Sequence, residues 1–320
     1  MLADACDPDG RPLAVAARPD RWWGMRTLSD AADPVVAADA PIQLSGSQLA
    51  SVLACPRQWF LARKAHGESA RNTAATFGSV VHVLAEYGAQ PDADVASLTG
   101  HLDSVWDQLD FDANWLSAVE RLEAEAAVER FVAWQQARSA QQLLGTEVEF
   151  GFDITVRGER VRLTGTADRV ERDPDGRIRI VDFKTSRSAP SASDVALQDQ
   201  LGVYQLAVAE GALAGIAGDG ARPAGAELVY LRLPDGSEVY PRVFHQASLD
   251  DTPFPTGFEH VQSGPSAGVD NVPTWVHGRL AEAAEVIRQE RFDARIGPAC
   301  RYCRFRDSCP AHGSGGQVVR

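Results

Sequence analysis

The sequence predicts an α/β protein, more closely an α+β arrangement on a mixed sheet. Three observations carry that prediction. The hydrophobic period changes from helical to alternating near residue 148, a "DPDG" turn links two alternating runs, and a helical run separates these from a further strand. With 320 residues the chain has room for one large domain or two small ones. Its 44% hydrophobic and 23% charged residues are ordinary for a soluble globular protein. No stretch approaches the roughly 18 apolar residues of a membrane span. The start, "MLADACDPDG", has neither a basic nor an apolar signal region. The expected location is the cytoplasm, with no membrane partner.

Residues 1–43 are rich in Pro, Asp and Ala and read as a partly irregular lead-in. "LSGSQLASVLACPRQWFLARK" (44–64) reads as helix, with Ser45 or Ser47 as cap and Pro56 as a kink or restart. "TFGSVVHVLAEYGA" (76–89) sets Phe77, Val81, Leu84 and Gly88 on one stripe, with His82 off it. Residues 115–144 suit a long acidic helix. Alternation then marks strands at 148–156, 160–172 and 177–184, the last two joined by the turn at 173–176. A single helix is expected over 194–211, a strand over 226–233 and a helix over 271–292. The Gly-, Pro-, Asp- and Ser-rich stretch 234–270 shows no clear organisation, and 313–320 reads as a disordered tail.

Net charge is −13, which taken alone argues against nucleic acid. The distribution softens this. Leu84–Arg130 is strongly acidic, whereas Cys55–Arg71, Arg157–Arg187 and Cys300–Cys309 each carry a basic excess. Nearly every cation is Arg, a bias that reads as genome-wide composition; the lysines are Lys64 and Lys184.

Lys184 sits in "IRIVDFKTSR". Side chains alternate along a strand, so Asp182 and Lys184 share a face with Ile178 and Ile180. An acid that continues an apolar row is costly unless paired or metal-bound. The hairpin closed by "DPDG" could bring Asp168 beside Asp182, and Mg²⁺ favours such oxygen ligands. A compact Lys beside them could offset charge developing on a phosphate, or orient an attacking water. An isolated D-x-K is more often a surface ion pair, so the surroundings decide.

"GTADRVERDPDGRIRIVDFKTSR" (165–187), followed by "QLGVY" (200–204), resembles the core of the RecB-type branch of the PD-(D/E)XK nucleases, a restriction-endonuclease-like fold. The resemblance spans residues 76–204. It implies divalent metal, Mg²⁺ or Mn²⁺, on His82, Asp168, Asp182 and the backbone carbonyl of Phe183. It implies Lys184 as the catalytic lysine, with Gln200 and Tyr204 orienting it or contacting the DNA backbone. The two residues are four apart, on one helical face.

Of five cysteines, Cys300, Cys303 and Cys309 form C-x₂-C-x₅-C. In a cytosolic chain this points to metal rather than disulfide. Cys55, in "ACPRQWF", is the natural fourth ligand; Cys6 reads as incidental. The same family includes members with one Cys before the core and three after it, as in AddB- and AdnB-like helicase–nucleases. There the four hold a [4Fe–4S] cluster that staples the two ends. Zn²⁺ is the rival occupant.

The expected nuclease domain spans 44–312, with a core near 74–233 and cluster-closing segments at 44–64 and 293–312. The lead-in resembles the connector between motor and nuclease in actinobacterial AdnB-like proteins, so a superfamily 1 helicase motor is the expected partner. Neither lysine sits in a G-x-x-x-x-G-K-[ST] loop, so the chain itself is no ATPase. The resemblance implies a metal-dependent exonuclease on single-stranded DNA that acts in double-strand-break repair and recombination. The alternative is a non-catalytic DNA-binding or scaffolding subunit that retains the fold and cluster.

Overall fold

The computed structural model describes residues 4–18, 32–67, 87–88, 93–106, 109, 111, 113–256 and 273–313. The expected helix over 76–89, with His82, lies outside these residues apart from positions 87–88.

In chain order the elements are β1 (Ile42–Leu44), α1 (Gly46–Ala54), α2 (Pro56–Arg63), α3 (Val95–Trp106), α4 (Asn114–Gln136), β2 (Gln142–Val156), β3 (Glu159–Arg172) and β4 (Ile178–Lys184). They continue with α5 (Ala192–Ala196), α6 (Asp199–Ala209), β5 (Pro223–Pro234), β6 (Pro241–Gln246) and α7 (Trp275–Arg288). The strands form one mixed sheet. β3 is its spine. β2 runs antiparallel along the length of β3. On the other edge, β1 pairs parallel with Val161–Leu163 and β4 pairs antiparallel with Arg169–Arg172. β5 lies parallel to β4, and β6 closes the sheet antiparallel to β5.

Helices cover both faces. α1, α6 and α7 pack on one side, where Ile178, Ile180, Leu201, Tyr204, Trp275 and Leu280 share a core. α3 and α4 pack on the other, around Phe131, Trp134, Val181, Phe183 and Val229. β4 therefore reads as buried on both faces, as a strand between two helical layers must.

Local chemistry explains most boundaries. Ser45 caps α1 by accepting the Gln48 N–H. Cys55 then adopts an extended conformation, and Pro56 opens α2, so the expected 44–64 helix is two helices with the cysteine at the break. In the "DPDG" turn Asp173 accepts the N–H groups of Asp175 and Arg177, and Gly176 takes a φ of +83°.

Three expectations differ. The acidic helix stops at Gln136 rather than 144, because Gln142–Thr146 join β2 against β3. Ladder pairing overrides helix propensity there. The expected 194–211 helix breaks at Leu197–Gln198. The buried Gln246 amide donates to the carbonyls of Val195, Ala196 and Gln198 and so satisfies the groups freed by the break. The stretch 234–270 contains β6, paired to β5. The end of the lead-in is also pinned: Arg288 donates to the carbonyls of Val36, Ala37 and Ala40.

α6 and α7 cross closely at Gly202. A Cβ there would lie 2.7 Å from Val276 Cγ2 and 2.8 Å from Trp275 Cζ2. Gly202→Ala is expected to overpack this crossing and to cost about 1–3 kcal/mol, read as a lowered thermal midpoint.

Candidate active site

The site lies where β3 and β4 part. Their last paired residues are Arg169 and Val181, and that register sets Asp168 opposite Asp182 just beyond. Among the described residues, β1 pairs with β3 as far as Leu163 and β4 from Arg169 on, so the carboxylate level of β3 falls between the two pairings. Asp168 Oδ2 accepts the Phe183 N–H at 2.7 Å, which ties the two strand ends together.

Asp182 continues the row of Ile178 and Ile180 and is 2% exposed. Three side chains converge on it. Lys184 Nζ lies 2.6 Å from Oδ2. Gln200 Nε2 donates to Oδ1 at 3.0 Å, and Tyr204 donates its hydroxyl hydrogen to the same oxygen at 3.2 Å. The network closes on itself. Lys184 Nζ donates to Gln200 Oε1 at 3.3 Å, and Gln200 Nε2 also donates to the Tyr204 oxygen at 2.7 Å. The i,i+4 spacing on α6 is what lets Gln200 and Tyr204 reach one carboxylate.

α6 is held in register by contacts outside the network. Asp199 takes a two-pronged ion pair from Arg279 of α7, both contacts at 2.9 Å. Gly46 at the start of α1 faces the Gln200 backbone, where a Cβ would come within 2.8 Å of its Cα.

Burial, reinforced by the Asp182 charge, pushes the Asp168 carboxyl up to about 8, against the pull of the Phe183 N–H. Burial and the two carboxylates push the Tyr204 phenol upward as well. It therefore stays protonated and acts as a donor to Asp182. A third acid, Glu147, adds to the charge that raises Asp168. The β2–β3 register, Thr146 opposite Arg169 and Val148 opposite Ala167, sets Glu147 level with Asp168. Its φ is +47°, uncommon for a residue other than glycine. The alternating run begins at Val148, one residue too late to include it.

His82 lies outside the described residues. Phe183 contributes its backbone here, while its ring packs edge-on against Phe131 and Trp134 on the other side of the sheet. Among the described residues no three His, Cys, Asp or Glu side chains stand close enough to hold an ion by themselves. The carboxylate pair nevertheless suits a hard cation. Asp182 Oδ2 is buried and faces the Lys184 ammonium at 2.6 Å, with no hydrogen bond from another group among the described residues. Mg²⁺ commonly binds through one or two carboxylates and completes its shell with water and phosphate oxygens.

Two of the cysteines, Cys55 and Cys300, meet at one junction. Cys55 Sγ accepts the Arg295 N–H at 3.5 Å, a contact spanning 240 residues. Cys300 Sγ accepts the Gly297 N–H and lies 3.7 Å from the Arg295 carbonyl. Side chains brace this junction. Phe292 stacks on Phe60 at 4.5 Å, Arg295 donates to the Leu53 carbonyl, and Phe305 lies against Gly67. Cys303 and Cys309 follow in the same segment, half-buried and free, whereas Cys6 is exposed in the N-terminal residues. Cys55 and Cys300 thus meet on either side of Arg295, but the four thiols are not gathered closely enough to form a metal site by themselves; as a donor type, thiols suit zinc or an iron–sulfur group.

No curated protein matches the chain. The crystal structure of SSO0001 is similar over 86% of this chain and 88% of that one, with 15% identity and a TM-score of 0.39. The model of the PD-(D/E)XK nuclease superfamily matches residues 43–310, most of the chain and all of the carboxylate site. The mixed sheet between helical layers agrees with the restriction-endonuclease-like core of that superfamily. The chain belongs to the PD-(D/E)XK nuclease superfamily.

Proposed function

We propose that the chain is a metal-dependent deoxyribonuclease of the RecB type that degrades single-stranded DNA from an end, beside a superfamily 1 helicase motor, in double-strand-break repair. The observation that carries this reading is the closed network on the buried Asp182, whose oxygens are met by Lys184, Gln200 and Tyr204 beside a second buried carboxylate, Asp168. A retired site has no physical need to keep such charges buried, because an uncompensated carboxylate is costly.

Asp168 and Asp182 would hold Mg²⁺ or Mn²⁺, with His82 and the Phe183 carbonyl as further ligands. A divalent cation there would polarise the scissile phosphate and lower the pKa of an attacking water. Asp168 must give up its proton for this role. Gln200 and Tyr204 fix the Asp182 rotamer through Oδ1, while Oδ2 faces the Lys184 ammonium. Lys184 is held by Gln200 and Asp182 yet is 29% exposed, so its charge can meet a phosphate that gains negative charge.

The four thiols of Cys55, Cys300, Cys303 and Cys309 would hold a [4Fe–4S] cluster, with Zn²⁺ as the alternative. Closing so long a loop through metal–sulfur bonds constrains the unfolded chain. The basic segments on either side of this junction would track the DNA backbone electrostatically.

End-labelled single-stranded DNA, incubated with anaerobically purified protein and Mn²⁺, is expected to be shortened; EDTA or Asp182→Asn abolishes this by at least about a thousandfold. A folded, metal-loaded wild type that binds the strand without cutting it would favour the scaffolding subunit instead.

Metal binding should depend on pH through Asp168. Its folded pKa is raised, so below about pH 8 the metal-free carboxyl keeps its proton, and binding must release it. Mn²⁺ affinity, followed by electron paramagnetic resonance, is expected to rise about tenfold per pH unit below pH 8 and to level off above it. Asp168→Asn should bind weakly with a flat profile. A wild-type affinity that ignores pH would contradict the buried, protonated carboxyl.

Cys303→Ser is expected to lose the brown iron–sulfur absorption and to lower the thermal midpoint. A colourless wild type containing zinc would assign the site to Zn²⁺.

A further inference from the structure

The segment Cys300–Cys309 divides its side chains sharply. Its cysteines are half-buried, and Phe305 lies against Gly67 with its ring within 2.9 Å of where a Cβ would be. Tyr302 does the opposite: it is 81% exposed, the most exposed of the chain's large apolar or aromatic side chains among the described residues. Two short 3₁₀ turns, Pro298–Tyr302 and Arg306–Ser308, fix its place between Cys300 and Cys303. The Arg301 guanidinium lies 5.5 Å from the Tyr302 ring centroid, and that of Arg304 lies 5.8 Å from the Phe305 ring.

The arginines here differ from many of those packed on the core. Arg138, Arg169, Arg187, Arg232, Arg279 and Arg288 each make an ion pair with an acid. Arg301, Arg304 and Arg306 are exposed and make none among the described residues; the one acid within the segment is the exposed Asp307. One such guanidinium, Arg301, lies at the exposed Tyr302 ring, and Arg304 and Arg306 follow within four residues; on a chain of net charge −13 they make a local anion-binding segment with a stacking face. Duplex DNA offers phosphates but keeps its bases stacked inside. A single strand offers phosphates and free base faces together, which is the chemistry this surface matches.

We propose that Tyr302 is a base-stacking platform for single-stranded DNA, flanked by Arg301, Arg304 and Arg306 as phosphate contacts. This rests on the nuclease reading above and assigns where the strand is gripped away from the carboxylates. The ring, not the hydroxyl, does the work. The contact is indifferent to sequence, since every base has a face to stack.

The test uses the full chain with its cysteine site loaded, in EDTA so that nothing is cut. Binding of fluorescent oligothymidine and of a blunt duplex is measured by anisotropy for wild type, Tyr302→Ala and Tyr302→Phe. Tyr302→Ala is expected to weaken single-strand binding by about 5- to 100-fold, the range of one lost base stack. Its duplex binding should stay within about twofold, and Tyr302→Phe should bind both as wild type does. Photocrosslinking with 5-iododeoxyuridine should label Tyr302. Equal single-strand affinity for wild type and Tyr302→Ala overturns the platform, even if Tyr302→Ala also stops binding a protein partner. A Tyr302→Phe variant as weak as Tyr302→Ala overturns it too. A wild type that binds strands and cleaves them with Mn²⁺ keeps the nuclease reading intact in either of those cases. A wild type that binds no single strand sinks both.

Discussion

A carboxylate in an apolar row is the constraint around which the rest is arranged. Asp182 follows Ile178 and Ile180 into a core, and water cannot solvate it there. Its charge must be met by protein groups or a cation, or it would neutralise. Each neighbouring feature supplies part of the answer. The strand brings Lys184 two residues on, and α6 brings Gln200 and Tyr204 one turn apart. The Arg279–Asp199 pair and the close approach of Gly46 then hold α6 where those two can reach. The parting of β3 from β4 at this level keeps the ladder from burying the carboxylates entirely. It also sets Asp168 opposite, close enough that the two cannot easily both be charged without a cation.

The other face of the sheet solves a similar problem with arginines. Glu171 and Glu227 are nearly fully buried there, and Arg138 bridges them, its guanidinium also lying 4.6 Å from the Trp134 ring centroid. Arg169 and Arg179 complete the pairing. Burial alone would push Glu227 up, but His245, Arg138 and Arg179 outweigh it and hold it below the ordinary carboxylate range. Both buried acids there have cations from the chain itself. On the carboxylate face, by contrast, one lysine serves Asp182, and Asp168 beside it is pushed up by burial and by the Asp182 charge.

What the sequence made legible follows from local periodicity. The row Ile178, Ile180, Asp182, Lys184 fixes a face by alternation. "DPDG" fixes the hairpin and therefore the partner of Asp182. The spacing of Gln200 and Tyr204 fixes a shared helical face. The illegible parts depend on contacts between distant residues. Nothing near Leu197 announces a helix break, because the groups that satisfy it belong to Gln246. β2 begins six residues before its alternation because β3 is there to pair with it. Glu147 precedes the alternating run and owes its position to the register across from Asp168. The acidic load of the 84–130 stretch, too, is partly met from afar: Glu120 pairs with both Arg187 and Arg232.

The cysteine junction extends the same logic to the whole chain. Contacts that need no metal already bring the two ends together: Phe292 on Phe60, Arg295 on the Leu53 carbonyl, the Asp293 carbonyl accepting from Arg57, and Phe305 on Gly67. Such contacts are individually modest and lie near the surface, where local opening is least costly. A group bound by four thiols would turn a junction that can fray into one that opens only when metal–sulfur bonds break. α1 is the element that gains most, since it leads from the Gln200 contact at Gly46 to the junction at Cys55. Fraying at Cys55 would loosen α1, and a loosened α1 would free Gln200 from one of the surfaces that hold it against Asp182. The junction at Cys55 and the carboxylate site are thus joined by a single nine-residue helix. A group held at the proposed thiol site would therefore bear on the geometry of the carboxylates.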